Sequence, residues 1–153
     1  MKEVHFLENI IFRQAVREDM PQIMKLQTDV FNGEQKIPAK DINGFLDKNP
    51  QCWCAVLNGV VIGTVAAWRE NGEIHWGRFA IHPDYRGHHI GTRIARLSFD
   101  DLFARGIEEI RMEARDITAK LVCRMGGQTV GNPQQFYMGT ITPVVLKRSS
   151  YHH

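Results

Sequence analysis

Apolar and polar positions fall into short runs of two different periods along this chain. Residues 10–16 (Ile-Ile-Phe-Arg-Gln-Ala-Val) mix β-branched and aromatic residues with polar ones and predict a first strand. Met20, Ile23, Met24, Gln27, Val30 and Phe31 then fall on a helical stripe, which predicts a helix over 19–31 with Asp19 as its N-cap and Asn32-Gly33 as its end. A weaker helix is expected over 38–48, with Ile42, Phe45 and Leu46 facing inward and Asn49-Pro50 as its stop. Period two returns at 51–57. Asn58-Gly59 and Asn71-Gly72 are strong tight-turn signals, so 51–57, 60–68 and 73–81 read as an antiparallel meander. Residues 91–105 carry apolar side chains around most of a helical circumference, leaving Arg93, Arg96 and Asp100 for water. Gly106 caps that helix, and 107–114 is the next strand. A strand, a helix and a strand make a βαβ unit, so the strands at 73–81 and 107–114 should be parallel. Asp116 opens a short helix ended by Gly126-Gly127, and 128–130 and 136–146 read as the last two strands.

The sum is β-α-α-β-β-β-α-β-α-β-β: an α/β (mixed α+β) fold with a central mixed sheet of about seven strands and helices on both faces. One domain over 1–153 is expected, with 1–9 as a lead-in and 149–153 as a tail. Composition changes little in that picture. Hydrophobic residues make up 43% and charged ones 24%, ordinary for a globular chain. A formal net charge of +2 and no block of five like charges give no reason to invoke nucleic acid. No apolar run approaches the ~20 residues that cross a bilayer, and residues 1–9 carry acids and no signal-like apolar core, so no membrane partner and a cytoplasmic protein are expected. Cys52, Cys54 and Cys123 are an odd set without metal-ligand spacing, so neither a disulfide framework nor a metal site is expected. The closing Tyr151-His152-His153 is assigned no chemistry.

The most informative stretch is 79–92, Phe-Ala-Ile-His-Pro-Asp-Tyr-Arg-Gly-His-His-Ile-Gly-Thr. A strand end, a Pro-containing turn and a Gly-bearing loop deliver the chain to a helix start. Unpaired backbone N–H groups and the positive end of the helix dipole meet there, which suits a phosphate.

With these residues in their context, the chain resembles the GNAT superfamily of N-acetyltransferases over about residues 10–147. The carriers are Phe79-Ala80-Ile81-His82-Pro83 and Arg86-Gly87-His88-His89-Ile90-Gly91-Thr92. The family's pyrophosphate loop is Arg/Gln-x-x-Gly-x-Gly/Ala. Arg86 and Gly91 match it, and His89 stands where its first Gly would be. The resemblance implies acetyl-CoA or another acyl-CoA as cosubstrate, no metal, and a cofactor site at Phe79, Ala80, Ile81, Arg86, Gly87, His88, His89, Ile90, Gly91 and Thr92. It implies pantetheine along Phe79–Ile81 and an N–H near Ile81 polarising the thioester carbonyl. It further implies a primary-amine acceptor, taken as a small molecule, attacking the thioester directly, and a homodimer through the last strands.

The family's usual Glu on the strand 73–81 and Tyr on the helix before Gly126 are absent; Val122 holds the latter place. Substitutes for them are His75, which shares a strand face with Gly77, Glu113 on the neighbouring strand, and Tyr137 on the last strand. Cys123 could sit near the CoA thiol. Glu34, Asp41 and Asp47 could attract a cationic amine; Arg13, Arg69 or Arg78 could hold an acidic acceptor. The alternative to an enzyme is an acyl-CoA-binding or sensing module of the same fold with weak or no turnover.

Overall fold

The computed structural model describes residues 7–153, except the side chains of Asp41 and Asn43. Residues 1–6 of the expected lead-in lie outside the described residues. In chain order the elements are β1 (Ile10–Gln14), α1 (Met20–Gln27), α2 (Ala39–Asn43), β2 (Gln51–Leu57), β3 (Val60–Glu70), β4 (Glu73–Ile81), α3 (Ile90–Ala104), β5 (Glu109–Arg115), α4 (Asp116–Arg124), β6 (Gln128–Thr129), β7 (Gln134–Phe136) and β8 (Gly139–Lys147). One mixed sheet runs β1-β2-β3-β4-β5-β8-β6, with β7 also on β8. As expected, β4 and β5 are parallel. The turns Asn58-Gly59 and Asn71-Gly72 have φ of 50° and 80° and of 53° and 79°, the double left-handed geometry that matches strand twist in a two-residue hairpin.

Both faces of the sheet are covered, and β2 shows how. Trp53, Ala55 and Leu57 pack under α3, whereas Cys52, Cys54 and Val56 join the cluster under α1 and α2. Alternation with both faces buried makes β2 apolar at nearly every position. On the first face, the buried Trp76 indole N–H donates to Ser98 Oγ at 2.9 Å, and that hydroxyl donates to Ala95 O. This chain of bonds satisfies the buried polar groups that tie β4 to α3. The closing residues dock here too: Tyr151 OH lies 2.6 Å from Asp100 Oδ1, its ring meets Phe99 and Phe103, and His152 N donates to Met125 O.

Several expectations are corrected. Asp19 does not cap α1 through its side chain; its carboxylate grips Arg13 with two bonds of 2.7 and 2.9 Å and accepts from Val16 N. The first helix does not stop at Asn32-Gly33. It widens into a π-helix over Thr28–Glu34, closed by Gln35 N donating to Val30 O. The second helix is five α-helical residues followed by a 3-10 turn, Gly44–Lys48, which leaves Leu46 49% exposed rather than inward. The segment 136–146 is not one strand: Phe136 ends β7, and Tyr137 (φ 53°) and Met138 form a turn. The sheet therefore has eight strands, and β8 is flanked on both sides, by β5 and by the short β6 and β7. Among the described residues, no helix is long and apolar enough to cross a membrane.

Candidate functional site

Two backbone irregularities make the site. The first is in β4. Thr64 faces Ala80 and Ala66 faces Gly77, so Val65 stands opposite two residues, Arg78 and Phe79. Arg78 takes the extra position at φ 57°, a β-bulge in a left-handed conformation. Such a bulge bends its strand. The parallel pairing of β4 with β5 accordingly ends after Ile74–Ile110 and His75–Arg111, and the two strands part towards their C-terminal ends. His82 N–H still bonds across to Ile62 O on β3 at 2.8 Å. By the alternation of an antiparallel ladder, Phe79 and Ile81 turn their backbone groups towards the gap.

The second irregularity is His89. It precedes α3 with φ 61° and ψ 18°, the left-handed geometry that Gly adopts freely. The first intrahelical bond runs from Arg93 N to His89 O, so the N–H groups of Ile90, Gly91 and Thr92 come before any helical partner. Gly91 has a packing reason of its own. A Cβ there would sit 2.7 Å from Cζ of Phe79, so the glycine lets the first turn of α3 close on the ring of β4.

A cavity of about 360 Å3 occupies the gap between the strands. Trp76, Met112 and Ala114 reach it from the α3 face, and Phe31, Ile42 and Trp68 from the α1 and α2 face, so it passes through the sheet. Of the candidate proton acceptors, His75 and Glu113 both line it. His75 is the cross-strand partner of Trp68 and stacks on its indole, with centroids 6.1 Å apart and planes 15° apart. Tyr137 is not in the wall; it sits on the β7–β8 turn, edge-on to Phe136, which is. Cys123 packs on the core from α4 and does not line the cavity.

Of the loop residues, Phe79 lines the cavity and Ala80 is buried beneath α1 and α2. Ile90 is buried in the α3 core, His88 and Thr92 are half-buried, and Gly87 is exposed at φ 86°. The guanidinium of Arg86 is engaged by the protein. Its Nε donates to Ile81 O at 3.0 Å, and Nη1 and Nη2 hold both carboxylate oxygens of Glu34 at 2.8 Å. That fork lowers the Glu34 pKa and ties the end of the π-helix to the end of β4. Glu34 is thereby neutralised as a lure for cations, Asp47 is not in the wall, and the Asp41 side chain is outside the described residues.

Among the arginines proposed for an acidic acceptor, Arg13 is held by Asp19 and Arg69 is exposed near the hairpin end of β3. Arg78 lines the cavity, its Nη1 donating to Ile42 O at 3.0 Å and its guanidinium 4.8 Å over the Phe45 ring. Sequence reasoning missed Arg115, the last residue of β5, and the apolar wall of Phe31, Ile37, Phe136 and Ile141. Period-two alternation puts Arg115 on the same face as Glu113 and could have flagged it. Burial raises the thiol pKa of Cys52 to about 12 and of Cys54 to about 11, so neither is a nucleophile near neutral pH. Among the described residues no cluster of three His, Cys, Asp or Glu is gathered for a metal.

Residues 14–123 match the sequence model of the acetyltransferase (GNAT) family. Solved structures agree in fold. An acyl-CoA N-acyltransferase from Pseudomonas aeruginosa superposes with a TM-score of 0.75 at 14% identity, covering 89% of this chain and 97% of that one. Escherichia coli ElaA gives 0.75 at 13% identity, with 89% and 97% covered. A chain of the NatC complex bound to Gag peptide and CoA gives 0.72 at 20% identity, with 91% and 98% covered. No curated protein sequence matches the chain. The family match reaches from the end of β1 to the last turn of α4, across both the β4 bulge and His89, and on that span the chain belongs to the GNAT acetyltransferase family and is an acyltransferase.

Proposed function

We propose that this protein transfers an acetyl or other acyl group from acyl-CoA to the primary amine of a small molecule by direct attack on the thioester. The observation that carries this reading is the cavity in the gap between β4 and β5, lined by Trp76, Met112 and Ala114 from the α3 face and by Phe31, Ile42 and Trp68 from the α1 and α2 face. A donor and an acceptor can then meet from opposite faces.

Each part has a chemical role. The N–H groups of His88 to Thr92 and the α3 dipole suit the pyrophosphate. The backbone of Phe79 and Ile81 suits the pantetheine and the carbonyl oxygen, which gathers negative charge as the amine attacks. The amine nitrogen bonds to the carbonyl carbon, the C–S bond breaks, and the departing thiolate takes a proton from water. The proton lost by the amine goes to His75, or to Glu113, directly or through water. Tyr137 has the weakest claim of the three residues, because its turn lies outside the cavity wall.

The test is thiol release from acetyl-CoA across a panel of small amines. Amine-dependent release, slowed in His75→Ala with little change in acetyl-CoA affinity, is the expected result. Tight acetyl-CoA binding with no release from any amine would instead favour a binding or sensing module. Absence of binding by calorimetry would defeat both.

A further inference from the structure

The cavity wall holds a cation, Arg115, that has no counter-charge among the described residues. On β5, Ile110, Met112 and Ala114 face the α3 core, so Glu113 and Arg115 alternate to the face of α1 and α2. Arg115 is half-buried in the cavity wall. Its Nη1 donates to Phe136 O at 2.8 Å, and its guanidinium lies 5.0 Å over the Phe136 ring. Gly139 makes room for it, since a Cβ there would sit 2.9 Å from Nη1. Nη2 is buried and has no hydrogen-bond partner among the described residues.

No described carboxylate answers this charge. Arg115 forms no ion pair among the described residues. The adjacent Asp116 accepts from Thr140 Oγ1 at 3.1 Å, and Glu113, two residues back on the same face, is exposed. Burial alone moves the Arg115 pKa, downward, with no acid pulling it back. A desolvated donor without an acceptor is costly, and an incoming carboxylate would satisfy it. The second cation of the wall, Arg78, is brought to the same face by the β4 bulge, where it packs on Ile42 and Phe45 of the α2 segment.

We infer that the acyl acceptor carries a carboxylate, bound at Arg115 with Arg78 beside it, so that the substrates are amino acids or kindred amino carboxylates and not simple or polycationic amines. The inference rests on the acyl-transfer reading above. The carboxylate is assigned to the acceptor and not to the acyl donor because Arg115 lies on the sheet face opposite α3, whose N-terminus is the phosphate site.

Matched pairs of amines, with and without a carboxylate, test it on the full chain: phenylalanine with phenethylamine, leucine with 3-methylbutylamine. The carboxylated member should be favoured in kcat/KM by roughly 10- to 100-fold. Arg115→Met should bring that ratio towards one, and Arg115→Lys should keep part of it. Gly139→Ala, which crowds the guanidinium but keeps the charge, should also lower it. Acetyl-CoA affinity of each variant, measured on the same sample, reports that it is folded. Equal or better use of the amine without a carboxylate by the wild type would overturn the inference, and so would an unchanged ratio in Arg115→Met. Tighter, Arg115-dependent binding of succinyl-CoA than of acetyl-CoA would place the anion on the donor and overturn it too. If no amine is acylated, the acyl-transfer reading fails separately. Quenching of the cavity tryptophans by N-acetylphenylalanine, but not by N-acetylphenethylamine, and its loss in Arg115→Met, would then uphold the carboxylate site; no quenching would overturn it.

Discussion

One face of the sheet is covered by α3, an uninterrupted helix of 15 residues, with α4 beside it over β5 and β8. The other is covered by α1, a π-helical continuation, α2 and a 3-10 turn, of 8, 7, 5 and 5 residues. The α3 face carries Trp53, Trp76, Phe99, Ile94 and Ile110 in one packed cluster, with its buried indole satisfied by Ser98. The opposite face is pinned by polar devices instead: Asp19 on Arg13, Glu34 on Arg86, and Arg78 on Ile42 O. A continuous helix suits a face that must hold the fold and present a fixed N-terminus. Short segments held by replaceable bonds suit a face that must admit different acceptors. Stability should therefore reside mainly on the first face and selectivity on the second.

The sharpest way to break that contrast is Phe99→Ala, which empties a fully buried site under α3 and should cost about 3–5 kcal/mol in urea unfolding. A loss as small as that of a surface substitution would show that the α3 face is not the stable one. Asp19→Asn should cost about 1–3 kcal/mol at pH 7, because the Arg13 fork holds the Asp19 carboxyl below the usual carboxylate range. A depressed folded pKa gives stability that is full above the unfolded value of about 3.9 and is lost as pH falls through the lower folded one. The gap between wild type and variant in thermal melts should thus close below about pH 4. Glu34→Gln disturbs a pair in which both side chains are more than a third exposed, so it should change stability by less than about 1 kcal/mol. Its effect should appear as a raised KM for the acceptor, read in steady-state kinetics; a KM equal to wild type would detach the π-helix from acceptor binding. His89→Gly should stabilise by about 0.5 kcal/mol, the relief of a left-handed residue partly offset by the freer unfolded chain, as denaturant midpoints would register.

The same contrast divides what the sequence discloses from what it conceals. The meander and α3 were readable because Asn58-Gly59 and Asn71-Gly72 announce their turns and the apolar residues of 91–105 keep helical spacing. The residues of 79–92 were readable as a motif for the same reason: they sit between regular elements. The α1 face was harder. Met20 to Phe31 keeps a helical stripe, and nothing in it marks the passage to a wider π-turn at Thr28. Arg78, His89 and Tyr137 adopt positive φ without being Gly or Asn, so no residue type betrays the bulge, the loop or the β7–β8 turn. Those three positions shape the gap between β4 and β5, set the approach to α3, and remove Tyr137 from the last strand. His75 and Glu113 were legible from their strand positions as candidates for a missing proton acceptor, and both line the cavity, whereas Arg115, on the same face as Glu113, acquires its meaning from the carbonyl of Phe136 and the space left by Gly139.

The cysteines bear on how turnover can be watched. Cys52 and Cys54 are buried under α1 and α2 with their thiols pushed to about 12 and about 11, and only Cys123 is partly accessible. A thiol-reactive dye added to the folded protein therefore meets one slow site per chain, while each acyl transfer liberates a fresh, fully exposed thiol. The colour such a dye develops counts product and not enzyme, and a single maleimide treatment would place one fluorophore on α4 with both interior sulfurs untouched.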